Sequence, residues 1–201
     1  MVLQKLEELP FVFLASRSPR RVELLNQIGV SCETLPSDID EMQYAGESPE
    51  RYVIRLAAEK AQACLQRLTE EQKVHPILAA DTTVVLDGIV LGKPDDDIDA
   101  RNMLIALSGS LHEVHTAVAL AHNNQIEVVL STTVVEMMAL TDEQIELYIA
   151  SGEPRDKAGS YGIQGYAGAW IKRIEGSYSG VMGLPVFETA SLLRRAGVGI
   201  F

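Results

Sequence analysis

Residues 77–94 read ILAADTTVVLDGIVLGKP, and this stretch places an acidic residue in the middle of an apolar run. The apolar residues on both sides of Asp81 predict a buried strand, and Asp87-Gly88 predicts a tight hairpin turn into a second, shorter strand. A carboxylate inside such a run needs a cationic partner, or it lies at a cleft where it takes part in chemistry. The alternative is that Asp81, Thr82 and Thr83 turn the chain at the end of a strand.

The length and composition of the chain predict a single compact unit. With 201 residues and 47% hydrophobic content, the chain is long enough for one core or for two tightly joined lobes, so we expect one domain over residues 1–201. Cys32 and Cys64 match no metal-ligand spacing and are interpreted as two buried thiols rather than a disulfide. That cysteine usage favours a reducing compartment and therefore a cytoplasmic protein.

The charge balance excludes several classes of partner. A net charge of −11 argues against general affinity for nucleic acids and for anionic lipid surfaces. Residues 1–10 lack the pattern of an export signal, and no apolar run reaches the length of about 18 residues that a membrane span needs. A polyanionic ligand would therefore have to meet a local basic cluster or bring a metal ion.

The segment after the first predicted strand, 11–15, reads SRSPRR and combines hydroxyl groups with cations at the start of a helix. Ser18 fits the N-cap and Pro19 the first helical position. Arg20 and Arg21 then fall in the first turn, where the helix dipole disfavours each cation by roughly 0.3–1 kcal/mol. Free N–H groups, serine hydroxyls and two guanidinium groups together predict a phosphate site. The alternative is that both arginines are solvated and Ser18 is only a cap.

An acidic segment and a long helix follow. A strand at 30–35 runs into the acidic residues of 37–41, which form either a solvated loop or part of a site for a hard divalent cation. Ser48-Pro49 begins a helix whose apolar residues recur at helical spacing. Lys60 lies beside that apolar stripe, and its spacing alone predicts a side chain that extends along the surface to solvent.

Further strands and helices are predicted in the second half of the chain. Its predicted segments are a helix at 100–107, strands at 111–121 and 126–138, a helix at 142–150 with a Thr141/Gln144 capping box, a strand at 170–174, a glycine-containing loop at 177–185 and a closing helix at 186–196. His112 and His115 are three residues apart in a strand, so they face opposite sides and are not expected to share a metal.

Residues 156–168 carry glycine at every third position from Gly159 to Gly168. A glycine-rich wall lets the backbone approach a flat ligand closely. Gln164 in this stretch supplies a donor and an acceptor, the pairing needed to read the edge of a nucleobase. The alternative interpretation is an ordinary loop.

Five motifs, in the same order along the chain, resemble those of the Maf family of nucleoside triphosphate pyrophosphatases. They are 16–21 (SRSPRR), 80–82 (ADT), 92–94 (GKP), 156–165 (DKAGSYGIQG) and 183–185 (GLP), and the resemblance covers nearly the whole chain. It implies an α/β fold with a long twisted mixed sheet, flanking helices and two lobes around a nucleotide cleft, as in inosine triphosphatase-like proteins. It also implies hydrolysis of a nucleoside triphosphate to the monophosphate and pyrophosphate, with a divalent cation (Mg2+, Mn2+ or Co2+) as cofactor.

The resemblance also implies roles for individual residues. Asp81 resembles the family's proton acceptor, which activates the water that attacks the α-phosphorus. Glu41 resembles the acid that places the metal together with Asp81, with Asp40 as the fallback. The remaining residues resemble the substrate-binding set, namely Ser16, Ser18, Arg20, Arg21, Lys60, Thr82, Lys93 and Gln164.

Substrate choice is expected to depend on Arg20, Thr82 and Gln164, which match the family's specificity positions. The DKAGSYGIQG form resembles the dTTP and UTP branch, and Gln164 facing the O4 and N3–H edge of uracil or thymine gives that assignment a physical basis. Two alternatives stay open: a nucleotide-binding regulator of cell division, and a pyrophosphatase for another base such as 7-methyl-GTP. The sequence does not specify the oligomeric state, and a homodimer is the assembly that we expect.

Overall fold

The computed structural model describes residues 10–200. The expectation about an export signal at 1–10 therefore lies almost entirely outside the described residues. The predicted domain 1–201 likewise includes residues 1–9 and 201, which are not described.

Residues 10–200 form seven strands and six α-helices. Their bounds are β1 Phe11–Leu14, α1 Pro19–Gln27, β2 Ser31–Thr34, α2 Pro49–Arg67, β3 Ile77–Leu86, β4 Ile89–Leu91, α3 Asp97–Leu107, β5 Leu111–His122, β6 Gln125–Met137, α4 Asp142–Ala150, β7 Ile171–Glu175, α5 Tyr178–Met182 and α6 Val186–Arg195. No helix among these residues is both long and apolar enough to cross a membrane.

All seven strands belong to one mixed sheet. The strand order is β2-β1-β3-β5-β6-β7, and β4 pairs with β3 beside this path. β1 is parallel to β2 and β3, whereas the long strands β3, β5 and β6 are antiparallel neighbours. The predicted mixed α/β sheet with flanking helices is confirmed.

The sheet is covered on both faces because its central strands carry apolar side chains on both sides. Even-numbered residues of β3 such as Leu78 and Ala80 pack with α1, α5 and α6, whereas Ile77 and Ala79 pack against α2. Val84, near the end of the same strand, belongs to a third cluster with α3 and α4. A strand buried on both faces reads as a continuous apolar run, which explains the composition of 77–86.

The turns follow the sequence closely. Asp87 and Gly88 have φ angles of 50° and 79°, as the predicted hairpin requires, and the Asn123-Asn124 turn has φ angles of 50° and 59°. The predicted capping box at Thr141 and Gln144 is present at the start of α4.

Three predictions are wrong in detail. The segment 177–185 is not a loop throughout, since it contains the short helix α5, whose N-cap Ser177 accepts a hydrogen bond from the Gly180 N–H. Helix α3 begins at Asp97, earlier than predicted, because Asp96 caps it by accepting from the Asp99 N–H at 2.8 Å. Cys64 is buried, but Cys32 is only partly buried, because it lies on β2 at the edge of the sheet.

Candidate active site

A gap along one edge of β3 creates a cleft. β1 pairs with β3 only as far as Leu78, and β4 joins the same edge from Val84 onward. Between these two pairings the chain of β1 has already turned away toward α1, so the residues around Asp81 face open space on that side. A cleft of about 590 Å³ lies there. Ligands commonly bind at such ends of parallel strands in open α/β sheets.

All ten residues predicted for the site line this one cleft, although they come from six separate parts of the chain. They are Ser16, Ser18, Arg20, Arg21, Glu41, Lys60, Asp81, Thr82, Lys93 and Gln164. The fallback residue Asp40 is not among the lining residues. Its carboxylate accepts from the Met42 N–H at 2.9 Å and so shapes the local turn instead.

Asp81 lies inside β3 and pairs with Ala117 of β5, so the alternative that it turns the chain at a strand end is wrong. The Lys60 Nζ donates to Asp81 Oδ1 at 2.6 Å and lies 2.7 Å from Glu41 Oε1. The Lys60 and Asp81 side chains are only 12% and 11% exposed. The spacing of Lys60 had predicted a side chain that extends to solvent, and this prediction is wrong. Lys60 instead contacts both candidate catalytic acids.

The charges around Glu41 favour its ionised form. Partial burial raises the pKa of Glu41, but the Lys60 ammonium, with Lys93 and Arg21 farther away, more than offsets this and holds the pKa below its usual value. The Glu41 side chain is 50% exposed. It therefore presents a carboxylate to the open part of the cleft.

The carboxylate oxygens of Asp81 and Glu41 are suitable ligands for a hard divalent cation, but these two side chains do not enclose one. Among residues 10–200 no group of three or more His, Cys, Asp or Glu side chains is arranged to hold a metal ion. Mg2+ in nucleotide enzymes is commonly bound through one or two carboxylates while the phosphates of the substrate and water supply the other ligands. Asp81 and Glu41, both in contact with Lys60, form such a carboxylate pair.

The predicted phosphate site lies at the start of α1 but is built differently from the prediction. Ser18 occupies the N-cap position, yet its hydroxyl makes no capping hydrogen bond. Instead, the Ser16 Oγ accepts from the Ser18 N–H at 3.1 Å and from Arg21 Nη1 at 3.0 Å. Ser16 is buried and fixes the turn, whereas the hydroxyl of Ser18 is not used as a cap and Ser18 lines the cleft.

The two arginines of this turn differ in their surroundings. Arg21 donates through Nε to the Gly183 carbonyl at 2.8 Å and through Nη2 to Thr82 Oγ1 at 3.2 Å. Burial lowers the pKa of the Arg21 guanidinium, and the nearby Asp81 carboxylate partly offsets this effect. Arg20 is more open, with its guanidinium 3.7 Å from Asp156. The alternative that both arginines are solvated is wrong for Arg21.

The glycine-rich stretch forms one wall of the cleft. It folds into short 3₁₀ turns at Ala158–Ser160 and Tyr166–Trp170, and the Gly159 N–H donates to the Gly92 carbonyl at 2.9 Å. Gly159 has a φ of 64°, and a Cβ atom there would lie 2.9 Å from the side chain of Val84. Gln164 is exposed on this wall, as is Lys93 on the segment that contacts it.

The two histidines of β5 face opposite sides, as predicted. His112 Nε2 lies 2.7 Å from the Tyr161 hydroxyl, whereas His115 Nδ1 lies 3.2 Å from Thr132 Oγ1. Burial lowers the pKa of His112 to about 4, so it is neutral at physiological pH. His112 thereby contacts the glycine-rich stretch through the Tyr161 hydroxyl.

Two residues of the site were missed from the sequence. Tyr52 lines the cleft, and its hydroxyl donates to the Glu41 carbonyl at 2.9 Å. Its spacing of eight from Lys60 puts both on one helix face, and this was the available signal. Thr116 bonds Thr82 Oγ1 at 3.0 Å, but that contact depends on the register of β3 with β5, which the sequence does not reveal.

Comparison with known proteins places this architecture in a family. The family model described as "Maf-like protein" matches residues 11–196. A protein of Methylobacillus flagellatus named dTTP/UTP pyrophosphatase is 60% identical over 94% of this chain and 94% of its own length. Proteins of the same name from Bordetella avium and Nitrosomonas europaea are 53% and 50% identical, over 97% and 94% of this chain and 100% and 96% of their own lengths. A solved structure, the Staphylococcus aureus Ham1 protein, has a TM-score of 0.46 at 14% identity over 63% of this chain and 71% of that chain.

Proposed function

This chain belongs to the Maf-like protein family, and from that premise we propose that it hydrolyses dTTP and UTP to the nucleoside monophosphate and pyrophosphate. The observation that carries the proposal is the meeting of Asp81, Glu41 and Lys60 in a cleft that also holds Arg20 and Lys93. The names of the relatives from Methylobacillus, Bordetella and Nitrosomonas support the choice of substrate.

Asp81 acts as the general base in this proposal. It accepts a proton from the water that attacks the α-phosphorus, the P–O bond to the β-phosphate breaks, and pyrophosphate leaves. The ion pair with Lys60 at 2.6 Å fixes one carboxylate oxygen, and the position of Asp81 at the open edge of β3 leaves its carboxyl group facing the cleft. A general base held in this way needs little reorganisation before reaction.

The cations of the cleft bind the triphosphate. Arg20 and Lys93 line the cleft and bring positive charge to it, and the free N–H groups of the α1 N-terminus and the Ser18 hydroxyl add donors. Arg21 is tied to Gly183 and Thr82, so it acts by shaping the cleft and by its charge. This local cluster allows a chain with a net charge of −11 to bind a polyanion.

Asp81 and Glu41 would hold a divalent cation, Mg2+, Mn2+ or Co2+, together with the phosphates of the substrate. When bound, the ion would neutralise charge on the triphosphate and stabilise the pyrophosphate leaving group. Lys60 holds both carboxylates in the cleft before substrate arrives, because its Nζ lies within 2.7 Å of an oxygen of each.

Gln164 recognises the base. Its amide presents one acceptor and one donor group from the exposed glycine-rich wall, which matches N3–H and O4 of uracil and thymine. Thr82 and Arg20, which line the same cleft, contribute to specificity. The hydroxyl of Thr82 is already held by Arg21 and Thr116, so its position is fixed before a nucleotide binds.

The test is pyrophosphate release from a panel of canonical, modified and 7-methylated nucleoside triphosphates by the purified protein, with Mg2+, Mn2+, Co2+ or a chelator. We expect turnover of dTTP and UTP that requires the metal ion. Turnover of 7-methyl-GTP in preference to both pyrimidines would contradict the substrate assignment. Binding of triphosphates without any turnover would favour a nucleotide-binding regulator instead.

A further inference from the structure

The loop that carries Glu41 has almost no regular structure of its own. Between β2 and α2, residues 35–48 form no helix or strand and contain only one turn at 45–46. Backbone segments of this kind keep a defined shape through side-chain contacts. The partners of this loop are therefore informative about how Glu41 reaches the cleft.

Helix α2 supplies these partners along its whole length. At the C-terminal end of α2, Arg67 donates to the Pro36 carbonyl, and in the middle the Ser37 hydroxyl donates to the Lys60 carbonyl at 3.0 Å. At the N-terminal end, the Tyr52 hydroxyl donates to the carbonyl of Glu41 itself at 2.9 Å. The loop thus lies along α2, and one of these hydrogen bonds holds the backbone of Glu41 itself.

Arg55 makes the most extensive set of contacts with the loop. Its Nε and Nη2 donate to the two oxygens of Glu47 at 2.7 and 2.8 Å, and Nη2 also donates to the Met42 carbonyl at 3.0 Å. Its guanidinium carbon lies 3.9 Å from the centre of the Tyr44 ring. The Arg55 and Glu47 side chains are only 16% and 9% exposed, so this fork is largely shielded from water.

We propose that Tyr52 and Arg55 are positioning residues for Glu41. Tyr52 fixes the Glu41 carbonyl and Arg55 fixes the next residue, Met42, so the backbone is held at the residue whose carboxylate must reach Lys60 and Asp81. The proposal rests on the role given to Glu41 in the proposed function. It deepens that function, because neither residue is assigned to the phosphates or to the base.

The contacts of Tyr52 and Arg55 with the loop, here called the clamp, matter because Glu41 is exposed. Its side chain is half exposed, and its carboxylate meets the protein through Lys60 at 2.7 Å. Without the clamp the loop would sample conformations in which this carboxylate points into solvent. A displacement of about 1 Å at a reacting group can reduce a rate by about 100-fold.

The test combines kinetics with a double-mutant cycle. Arg55→Met is expected to lower kcat for dTTP by about 10- to 100-fold with KM changed less than about threefold, because binding of the triphosphate does not use Arg55. Tyr52→Phe, which keeps the ring, is expected to lower kcat by about 2- to 10-fold through loss of one hydrogen bond. In a Glu41→Gln background both changes are expected to have no further effect on kcat, since the group that they position is already gone.

Two matched controls separate positioning from general stability. Arg51→Met removes the same group from an exposed position one turn earlier in α2, and Tyr178→Phe removes a hydroxyl from an exposed tyrosine outside the cleft. Both are expected to keep the kcat of the wild type. Equal losses of kcat from Arg55→Met with and without Glu41→Gln would overturn the proposal, because they would indicate an effect that does not pass through Glu41.

Hydrogen exchange of the segment 40–47 gives a readout that does not depend on activity. We expect Arg55→Met, and Tyr52→Phe if Arg55→Met fails to fold, to speed exchange there and to leave exchange in β5 unchanged. Unchanged exchange in 40–47 would overturn the clamp even if the enzyme is active. If the wild type releases no pyrophosphate, or if Glu41→Gln is fully active, the proposed role of Glu41 fails, and the exchange result alone decides whether Tyr52 and Arg55 hold the loop.

Discussion

Replacing Lys60 by methionine should strongly destabilise the folded protein. Its ammonium lies 2.6 Å from Asp81 and 2.7 Å from Glu41, so the change leaves two carboxylates near each other without their shared cation. Removing one partner of a buried ion pair costs about 3–5 kcal/mol. The Asp81 side chain is 11% exposed and incurs this cost, whereas the half-exposed Glu41 can turn toward water. We therefore expect the free energy of unfolding to fall by about 3 kcal/mol, at the lower end of that range.

The assay is urea unfolding at pH 7 of the Lys60→Met variant beside a Lys172→Met control. Lys172 contacts Glu136 at the same distance of 2.6 Å, but these side chains are 59% and 30% exposed, so its loss should lower the free energy of unfolding far less. Mg2+ or Mn2+ should stabilise Lys60→Met more than the wild type, because a bound cation replaces the missing charge. Equal, small losses in the two variants would refute the reasoning that Lys60 neutralises a buried acid.

Three further changes test other parts of the structure. Below pH 6.5 the unfolded chain protonates His112, whereas the folded protein does so only near pH 4, so the free energy of unfolding falls as the pH drops through this window. The pKa difference corresponds to a loss of about 3 kcal/mol. Urea unfolding of a His112→Asn variant should not show this pH-dependent loss. Gly159→Ala should lower the free energy of unfolding, measured by urea unfolding, by about 2–3 kcal/mol, because a φ of 64° disfavours a side chain and the new Cβ would lie 2.9 Å from Val84. The control Gly46→Ala has a φ of 75° but open space around it, so it should lose only the backbone contribution of about 1–2 kcal/mol. Gln164→Ala should lower kcat/KM for UTP by about 10- to 100-fold through loss of two hydrogen bonds to the base, and an unchanged preference for UTP over CTP would contradict its assignment.

The fold was predictable wherever a short stretch of sequence specifies its own geometry. Asp87-Gly88 and Asn123-Asn124 adopt the positive φ angles of hairpin turns, and the Thr141/Gln144 capping box forms as expected. Helix α5 was not predictable in the same way. It has only five residues, and Gly180 within it and Gly183 at its end suppress the helical pattern.

The residues proposed for the candidate site meet in one cleft, but their contacts with one another were not predictable from the sequence. Asp81 was singled out because a carboxylate in an apolar strand needs a reason, and all ten predicted residues line one cleft. The contact of Lys60 with Asp81 depends on how α2 packs on β3, and the sequence alone placed Lys60 at the surface. Ser18 likewise fitted the pattern of an N-cap, but the hydroxyl that accepts from the backbone at this turn belongs to Ser16.

The distribution of charge shows how an acidic chain gathers several cations in one cleft. The cations of the cleft are brought together from α1, α2 and the segment after β4, whereas Asp95, Asp96 and Asp97 lie at the exposed start of α3. Acidic residues at a helix N-terminus complement its dipole. The net charge of −11 therefore describes the surface as a whole and not the cleft.

The role of Asp81 is tested by comparing pyrophosphate release from dTTP and UTP by the wild type and by Asp81→Asn, with nucleotide binding measured on the same samples by calorimetry. Asn keeps the size of the side chain but does not accept the proton of the attacking water. We expect release to fall by about 100- to 10,000-fold while the Kd for the nucleotide changes little. Full activity of Asp81→Asn would remove Asp81 from its role as general base and contradict the central claim.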